Sequence, residues 1–359
     1  MATMTTIEDA LSGELEIDLG AIVANWHTVR NRHGADIAGV VKADGYGLGA
    51  APVALALAGA GCRHFFVAQF SEGLALRRAI GPGPMIAVLG GFPPGADEGA
   101  GLTPVLNTPQ DVAAWAAAPR QNAGVILHLD TGMERLGLSP AERAALPPGV
   151  LDSAGLRYVM THLACADEQD NPLTALQARR FAEAADAFPD TPRSLANSAG
   201  IFHGLTSDLG RPGCAVYGIN PTPWLPNPMR QVMRLTVPVI QTRSVPAGTP
   251  VGYGATWIAK RDSQIATIAA GYADGYLRSL SSRGVGIIAG SLAPLAGRVS
   301  MDLITLDVTD IPNVQIGDRV ELIGPQQTPD AVAALAGTIG YEVLTSLGSR
   351  YRRRYIGAA

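Results

Sequence analysis

The chain has 359 residues and a mass of 37.2 kDa, which is long for one ordinary domain and suits a large domain followed by a smaller one. Apolar residues make up 47% and charged residues 16%, so the composition supplies a buried core and excludes intrinsic disorder. The formal net charge of −4 provides no basic surface for nucleic acid or an anionic membrane.

The first segment, Met1–Gly13, lacks the basic and apolar parts of a signal peptide. No stretch of the chain reaches the roughly 18 uninterrupted apolar residues of a membrane-spanning helix. The cysteines are odd in number and widely spaced, which favours reduced thiols over disulfides: Cys62, Cys165 and Cys214. We therefore expect a soluble, cytoplasmic protein.

Short β-like runs alternate with amphipathic helical stretches between about residues 36 and 220, and each run ends in a polar or glycine-rich segment. The eight runs are Ile37–Val41, His64–Gln69, Met85–Leu89, Leu102–Leu106, Val125–Leu129, Arg157–Met160, Ser194–Ala196 and Cys214–Tyr217. Eight such units predict an α/β fold of the (β/α)8, or TIM-barrel, type.

Helix starts support this interpretation. Ser139-Pro140 combines a capping hydroxyl with a proline at the first helical position, and Thr108-Pro109 and Thr328-Pro329 repeat the signal. Apolar residues at helical spacing predict a further helix over Gln177–Phe188.

The pattern changes after Pro221–Pro228, which holds four prolines in eight residues. The strands predicted beyond it are Leu235–Thr242, Gln264–Ala270, Val285–Ile288, Leu303–Val308 and Arg319–Ile323. We therefore predict a barrel domain over residues 1–228 and a smaller, mostly β domain over residues 229–359. Residues 1–13 can pack with the second domain, and the early strand Glu14–Leu19 can pair with either.

Polar residues collect where barrel strands end, which is where barrel enzymes place their reactive groups. They are Lys42, His128, Asp130, Arg135, His162, Asn197, Ser198 and Arg211. A lysine at a strand end usually packs its stem and sends its ammonium to water. A desolvated lysine beside other cations, however, becomes a neutral amine that can form a Schiff base. Because Ser198 and the backbone of Gly213 and Cys214 can hold a phosphate, the set indicates pyridoxal phosphate.

Seven motifs, in order and over nearly the full length, resemble those of the alanine racemase family. They are Val41-Lys42-Ala43-Asp44-Gly45-Tyr46-Gly47, Asp130-Thr131-Gly132-Met133-Glu134-Arg135-Leu136-Gly137, Thr161-His162-Leu163-Ala164, Asn197-Ser198, Arg211-Pro212-Gly213, Gly271-Tyr272-Ala273-Asp274-Gly275 and Arg298-Val299-Ser300-Met301-Asp302. The resemblance implies a pyridoxal 5′-phosphate barrel, a C-terminal β-domain and a homodimer whose active sites take residues from both subunits.

The resemblance also implies roles for individual residues. Lys42 would hold the cofactor covalently and act as one base, and Tyr272 of the partner subunit would be the second base, hydrogen-bonded by His162. Arg211 would face the pyridine nitrogen. The phosphate would lie against Tyr46, Ser198, Gly213, Cys214 and Tyr341. The substrate would meet Arg135 and, from the partner subunit, Met301 with Asp302 beside it. No metal site is expected.

These groups suit racemisation, because two bases on opposite faces of a carbon can remove its proton from one side and return one to the other. A guanidinium keeps its proton at neutral pH, so Arg211 would leave the ring nitrogen neutral and limit side reactions such as transamination. The alternatives are ordinary ones. Tyr272 could be a turn residue, His162 a structural histidine, and Arg135 and Arg211 surface ion pairs.

One departure from the family concerns His128, where many members carry a carbamylated lysine whose negative charge orients the arginine matched here by Arg135. Imidazole forms no stable carbamate. Three candidates could hold Arg135 instead: Glu134, a bound anion such as chloride, or a neutral His128 that acts as a hydrogen-bond acceptor. Glu134 is itself a departure, since a small or neutral residue is common at its position.

Three rival functions are a non-catalytic cofactor-binding barrel protein, a decarboxylase of the related fold and a purely structural or binding protein. The first leaves the C-terminal domain unexplained, and the second expects an acidic residue in place of Arg211. A tight site closed by Tyr272, Tyr341 and Met301 favours alanine as substrate, with serine next. Whether the enzyme supplies D-alanine for peptidoglycan or catabolises it stays open.

Overall fold

The computed structural model of the chain describes residues 12–93, 101–118, 124–152 and 154–357. The chain divides into two compact units. One unit spans Gly20–Arg230, and the other joins the segment up to Leu19 to the segment Gln231–Ala358. The first strand, β1 (Glu14–Asp18), belongs to the second of these units.

The larger unit is built on parallel strands that alternate with helices. Its strands are β2 (Asp36–Ile37), β3 (Gly39–Val40), β4 (His64–Val67), β5 (Met85–Val88), β6 (Thr103–Leu106), β7 (Val125–His128), β8 (Leu156–Met160), β9 (Arg193–Ser194) and β10 (Leu209–Gly210). Strands β3 to β9 pair side by side in chain order, each parallel to the next. Seven of the eight predicted barrel strands are thereby confirmed, with small shifts at their ends.

Two hydrogen-bonded contacts complete the ring of strands. Strand β2, which continues into β3 through Ala38, pairs in parallel with β10, and the Ala38 amide donates to the Gly210 carbonyl at 2.8 Å. On the other side of β10, the Ser194 hydroxyl of β9 donates to the Leu209 carbonyl at 2.6 Å. The unit is therefore a (β/α)8 barrel, as predicted.

The predicted eighth strand, Cys214–Tyr217, is wrong, because this segment is a turn of 3₁₀ helix. The Val216 amide donates to the Gly213 carbonyl at 3.0 Å, and Gly218 ends the turn with a φ of +82°. The amides of Gly218 and Ile219 likewise donate to carbonyls of the segment, and β10 takes the eighth place in the barrel.

The helices follow the predicted order. They are α1 (Leu19–His33), α2 (Ala50–Gly59), α3 (Phe70–Ile80), α4 (Pro109–Ala117), α5 (Pro140–Ala144), α6 (Pro172–Ala185), α7 (Ser198–Phe202), α8 (Pro329–Ala336) and α9 (Gly340–Ser346). Thr108, Ser139 and Thr328 each accept a backbone hydrogen bond in the first turn, so all three predicted caps are confirmed. The helix predicted over 177–188 begins five residues earlier, at Pro172, behind the Asn171 cap.

The barrel interior is filled by side chains from successive strands. The buried cluster consists of Ala38, Val40, Phe66, Met85, Ala87, Val105, Ile126, Met160 and Leu209. Because this plug is apolar, the polar residues at the C-terminal ends of the strands rest on a packed floor.

The smaller unit is mostly β, as predicted. Beyond β1 its strands are β11 (Met233–Val245), β12 (Pro250–Val251), β13 (Trp257–Ile258), β14 (Ser263–Ile268), β15 (Val285–Ile288), β16 (Ser291–Pro294), β17 (Ile304–Asp307), β18 (Arg319–Ile323) and β19 (Arg352–Ile356). The long strand β11 pairs with β1, β14 and β18, all antiparallel. The early strand, for which either domain was open, lies between β11 and β19 and buries Leu15 and Ile17 completely.

None of the helices in the described residues has the length and apolar character needed to cross a bilayer. No group of three or more histidine, cysteine or acidic side chains is arranged there to hold a metal ion.

Candidate active site

Lys42 begins a left-handed turn directly after strand β3. Ala43, Asp44 and Tyr46 all have φ between +52° and +56°, in the left-handed region that residues with a Cβ rarely adopt. Each such residue costs roughly 1–2 kcal/mol relative to a right-handed conformation. Strain of this kind is concentrated at functional sites, so the strained turn supports the prediction that Lys42 belongs to one.

Two carboxylates hold this strained turn. Glu72, on helix α3, accepts a hydrogen bond from the Ala43 amide at 2.7 Å, and Asp44 accepts one from the Ala50 amide at 2.9 Å. Burial, reinforced by Arg135, lowers the pKa of the Lys42 ammonium, while Glu72 acts in the opposite direction. Lys42 is therefore closer to the neutral amine than an exposed lysine, which is the form that acts as nucleophile and base.

Arg211 is a buried cation bonded to neutral oxygens. It is 5% exposed, and its guanidinium donates to the Ser194 carbonyl at 2.8 Å, to the Ser194 hydroxyl at 2.6 Å and to the Thr161 carbonyl. Among the described residues, no carboxylate lies within ion-pairing distance of it. Burial lowers the pKa of Arg211 to about 10, so it stays protonated at neutral pH.

Tyr46, Ser198 and Gly213 come together in what we call the anion cradle. The Ser198 hydroxyl accepts hydrogen bonds from the amides of Gly213, at 3.0 Å, and Ala215, at 3.3 Å, which leaves its own proton to donate. A Cβ on Gly213 would lie 2.1 Å from the Tyr46 hydroxyl oxygen, so only glycine permits this approach. Two hydroxyls over a glycine backbone can hold the oxygens of a phosphate.

Arg135 lies in the loop after strand β7 and is exposed. Asp130 shapes this loop by accepting hydrogen bonds from the amides of Gly132, Met133 and Glu134, at 2.9 to 3.1 Å. Glu134 itself has a φ of +54°. The carboxylate of Asp130 thus fixes the backbone that leads to Arg135.

A buried glutamine, Gln177 on helix α6, ties this loop to the next one. Its side-chain amide donates to the His162 carbonyl at 2.9 Å and to the Thr131 hydroxyl at 3.3 Å, and its oxygen accepts from the Ala164 amide at 2.9 Å. Gln177 is completely buried. This side chain therefore links the loops that follow strands β7 and β8.

Two histidines near this region are held neutral. Burial and the cations Arg211 and Arg135 lower the pKa of His162 to about 3. Burial and Arg211 likewise lower the pKa of His128 to about 4. His128 Nδ1 lies 2.9 Å from the Asn107 side-chain oxygen, and the Asn107 nitrogen donates to the Leu89 carbonyl, so the proton of His128 is assigned to Nδ1.

Five predicted residues end or follow strands at the C-terminal side of the barrel, and their charges act on one another: Lys42, His128, Arg135, His162 and Arg211. Every group in this set is cationic or a neutral histidine. Glu72 and Asp130 oppose part of this positive charge, and the cations that remain are suited to a ligand that carries negative charge.

Tyr272 lies in the smaller unit, in a short 3₁₀ turn, and is 42% exposed. Its amide donates to the Ser300 carbonyl, and the next amide, of Ala273, donates to the Met301 carbonyl, both at 3.0 Å. The turns that carry Tyr272 and Met301 are thus joined through their backbones. Met301 is 52% exposed, so both side chains are available to a ligand or a partner.

The other predicted residues are Asp302, Tyr341 and Cys214. Asp302 does not stand free, because its carboxylate accepts from Arg350 at 2.8 Å. Tyr341 lies on helix α9 of the smaller unit and is half-buried. Cys214 opens the 3₁₀ turn beside the anion cradle.

Sequence reasoning missed several supporting residues: Glu72, Asn107, Gln177 and Arg350. Only Glu72 had a local signal, because it forms a capping box with Gln69 at the start of helix α3. The others make their contacts across long stretches of sequence and have no local pattern.

Comparison with known proteins gives a consistent result over both units. The family profile described as "Alanine racemase, N-terminal domain" matches residues 17–221, and "Alanine racemase, C-terminal domain" matches residues 232–355. An alanine racemase of Acidiphilium cryptum is 54% identical over 94% of this chain and 97% of its own. A relative from Mesorhizobium japonicum, named as a catabolic alanine racemase, is 48% identical over 98% of this chain and 95% of its own.

Solved structures agree. Alanine racemase from Bartonella henselae, with covalently bound pyridoxal phosphate, superposes with a TM-score of 0.92 at 39% identity, covering 96% of this chain and 99% of that one. The biosynthetic alanine racemase from Pseudomonas aeruginosa gives a TM-score of 0.90 at 37% identity, with the same coverage of both chains. In sequence and in fold, this chain belongs to the alanine racemase family.

Proposed function

We propose that this protein is an alanine racemase that interconverts L- and D-alanine with pyridoxal 5′-phosphate attached to Lys42. The observation that carries the proposal is the buried Arg211 cation, which donates to neutral oxygens of Ser194 and Thr161 and meets no carboxylate in the part of the chain that the structure describes. A related decarboxylase would need a carboxylate at this place to keep a ring nitrogen protonated. Arg211 instead favours an electron sink weak enough to limit side reactions.

The barrel residues fit this cofactor. Lys42 provides an amine with a lowered pKa for its aldehyde, and the anion cradle provides hydroxyl donors for its phosphate. The cationic surroundings of Lys42, with Arg135 and Arg211, balance the negative charge that such a ligand brings. When bound, pyridoxal phosphate withdraws electrons from the substrate Cα and so makes its hydrogen acidic.

The chain's own residues would then move the proton and hold the substrate. Lys42 acts on one face of the Cα, and Tyr272 of the partner subunit acts on the other, each as acid when its counterpart is base. Arg135 would receive the substrate carboxylate together with Met301 of the partner subunit. The proposal therefore includes a homodimer with shared active sites. Alanine is the first substrate, and serine is the next in size.

The setting is also proposed. Three cysteines without disulfide bonds suit a reducing compartment, so we place the enzyme in the cytoplasm. Relatives named as biosynthetic and as catabolic are both similar to this chain, so supply of D-alanine for peptidoglycan and its breakdown stay open alternatives.

The test is to follow formation of D-alanine from L-alanine by chiral chromatography, with released carbon dioxide measured in parallel. We expect racemisation by the native protein and a fall of about 100- to 10,000-fold in kcat for Tyr272→Phe, the range for loss of one acid–base group. Tyr253→Phe is the matched control, because Tyr253 lies in the same unit and is 72% exposed. Release of carbon dioxide without D-alanine, or full activity of Tyr272→Phe, would refute the proposal.

A further inference from the structure

Arg350, which follows helix α9, bridges two carboxylates of the smaller unit. Its Nε lies 2.7 Å from Asp274 Oδ1, and its Nη1 lies 2.8 Å from Asp302 Oδ1. Asp274 belongs to the 3₁₀ turn that begins at Tyr272, and Asp302 directly follows Met301. One guanidinium thus connects the two turns that carry the predicted second base and the predicted carboxylate contact.

The bridge adds a side-chain connection to a backbone one. The amides of Tyr272 and Ala273 donate across the two turns, to Ser300 and Met301. Within the first turn, Asp274 Oδ2 accepts from the Gly271 amide at 2.9 Å, so the same carboxylate closes the turn and receives Arg350. A shift of Arg350 would therefore disturb the backbone on both sides of Tyr272, at Gly271 and at Asp274.

The burial of the two carboxylates differs. The Asp274 side chain is 8% exposed, whereas that of Asp302 is 56% exposed. A nearly buried carboxylate that loses its cation is costly, and we expect the turn to rearrange to reach water. The exposed pair with Asp302 adds little energy by itself, but it sets the direction of the guanidinium plane.

We propose that Arg350 is a positioning residue that holds the turns carrying Tyr272 and Met301 in a single arrangement by bridging Asp274 and Asp302. The Asp302 carboxylate then serves this bridge and does not contact the substrate. The inference rests on the proposed function, because it assigns the placement of a base whose action is itself proposed. Planar guanidinium geometry is required, since a lysine ammonium reaches one of the two carboxylates well but not both.

The variants are Arg350→Gln, Arg350→Lys and Asp302→Asn, with Arg261→Gln as the matched control. Arg261 is an arginine of the same unit that pairs with the exposed Asp310 and lies apart in sequence from both turns. Each variant is assayed for racemisation, and for exchange of the α-hydrogen of each alanine enantiomer in deuterated water. Hydrogen exchange of the backbone amides is followed in parallel on the same proteins.

We expect kcat for racemisation to fall about 10- to 100-fold in Arg350→Gln, the effect of misplacing a catalytic group by about 1 Å. Exchange of the enantiomer whose hydrogen faces Lys42 should fall far less, so the two exchange rates separate. The Ala273 amide, which bonds to Met301, should exchange about tenfold faster, as for the loss of roughly 1.4 kcal/mol of local stability. Arg350→Lys should recover part of each effect.

A double variant tests the bridge itself. Combining Arg350→Gln with Asp302→Asn should cost less than the sum of the two single effects on kcat, because both remove the same contact. Additive effects would refute bridging. A parallel fall of racemisation and of both exchange rates, or an equal effect of Arg261→Gln, would show a general loss of folded protein and overturn the inference. If the native protein exchanged no α-hydrogen, the proposed function itself would fail, which is a separate result.

Discussion

Substitution of Gly213 by alanine is expected to weaken cofactor binding through one defined contact. The added Cβ would lie 2.1 Å from the Tyr46 hydroxyl oxygen and 3.0 Å from the ring carbon that bears it. Carbon and oxygen atoms that are not bonded do not approach to this distance, so Tyr46 must move.

Movement of Tyr46 would break its packing contact with Tyr217. Its ring stacks on Tyr217 with centroids 4.5 Å apart and planes inclined by 24°. Tyr217 is 1% exposed, and its hydroxyl donates to the Val40 carbonyl at 3.0 Å, so this partner is fixed. Overpacking of this kind costs about 1–3 kcal/mol. If the free protein relaxes by turning Tyr46 away and the complex requires it in place, the dissociation constant of pyridoxal phosphate rises about 5- to 150-fold.

The assay is a fluorescence titration of the cofactor-free protein with pyridoxal phosphate. Gly59→Ala is the matched control, because Gly59 is in helix α2 and a Cβ there would meet no atom within 4 Å. In a Tyr46→Phe background the hydroxyl is gone, and the same alanine at position 213 should cost less. Binding of Gly213→Ala as tight as that of the native protein would refute the reasoning. So would an equal loss in the presence and absence of the Tyr46 hydroxyl.

The remaining predictions concern stability. The pKa of His128 is lowered to about 4 from an ordinary 6.5. Between these two pH values His128 is protonated in the unfolded chain and neutral in the folded one. The free energy of unfolding should therefore be highest above pH 6.5 and fall as the pH drops toward 4. Urea titrations at several pH values should show this fall. The fall should be smaller in His128→Asn, which keeps a donor for Asn107. An equal fall in both proteins would contradict the lowered pKa of His128. Gln177→Leu should lower the free energy of unfolding by about 1–3 kcal/mol for each of the two backbone groups left unpaired, at Ala164 and His162. A Gln177→Leu variant as stable as the native protein in the same titration would exclude this role.

Much of the fold was predictable because its signals are local. Strands such as Met85–Val88 are apolar runs bounded by turn residues, and the caps at Thr108 and Ser139 follow from short-range hydrogen bonding. The eighth barrel strand was missed for the opposite reason. Leu209–Gly210 is too short to show a hydrophobic period. Cys214–Tyr217 is an apolar run that suits a strand in sequence, but in the structure it forms a 3₁₀ turn whose Ala215 amide donates to the Ser198 hydroxyl.

The residues that carry the proposed chemistry were predictable from motifs, whereas the residues that hold them were not. Lys42, Arg211 and Ser198 stand at strand ends in patterns that resemble the family. Asn107 and Gln177 are ordinary polar residues in sequence, and only the folded chain shows that each bonds groups from separate segments. Of the three candidates for holding Arg135, a neutral His128 has structural support, because its Nδ1 is bonded to Asn107 and its Nε2 is left as an acceptor.

The place of strand β1 has a consequence for biogenesis. Glu14 is aligned with Arg352 in a parallel ladder, so a ribosome must add nearly the whole chain before these two strands can meet. The barrel segment emerges complete well before that moment and can fold first, while β1 waits unpaired. We expect a nascent chain halted before β19 to contain a formed barrel and an unfinished smaller sheet. A separately expressed C-terminal fragment would lack the strand that lies between β11 and β19, and we expect it to aggregate through the edges left unpaired.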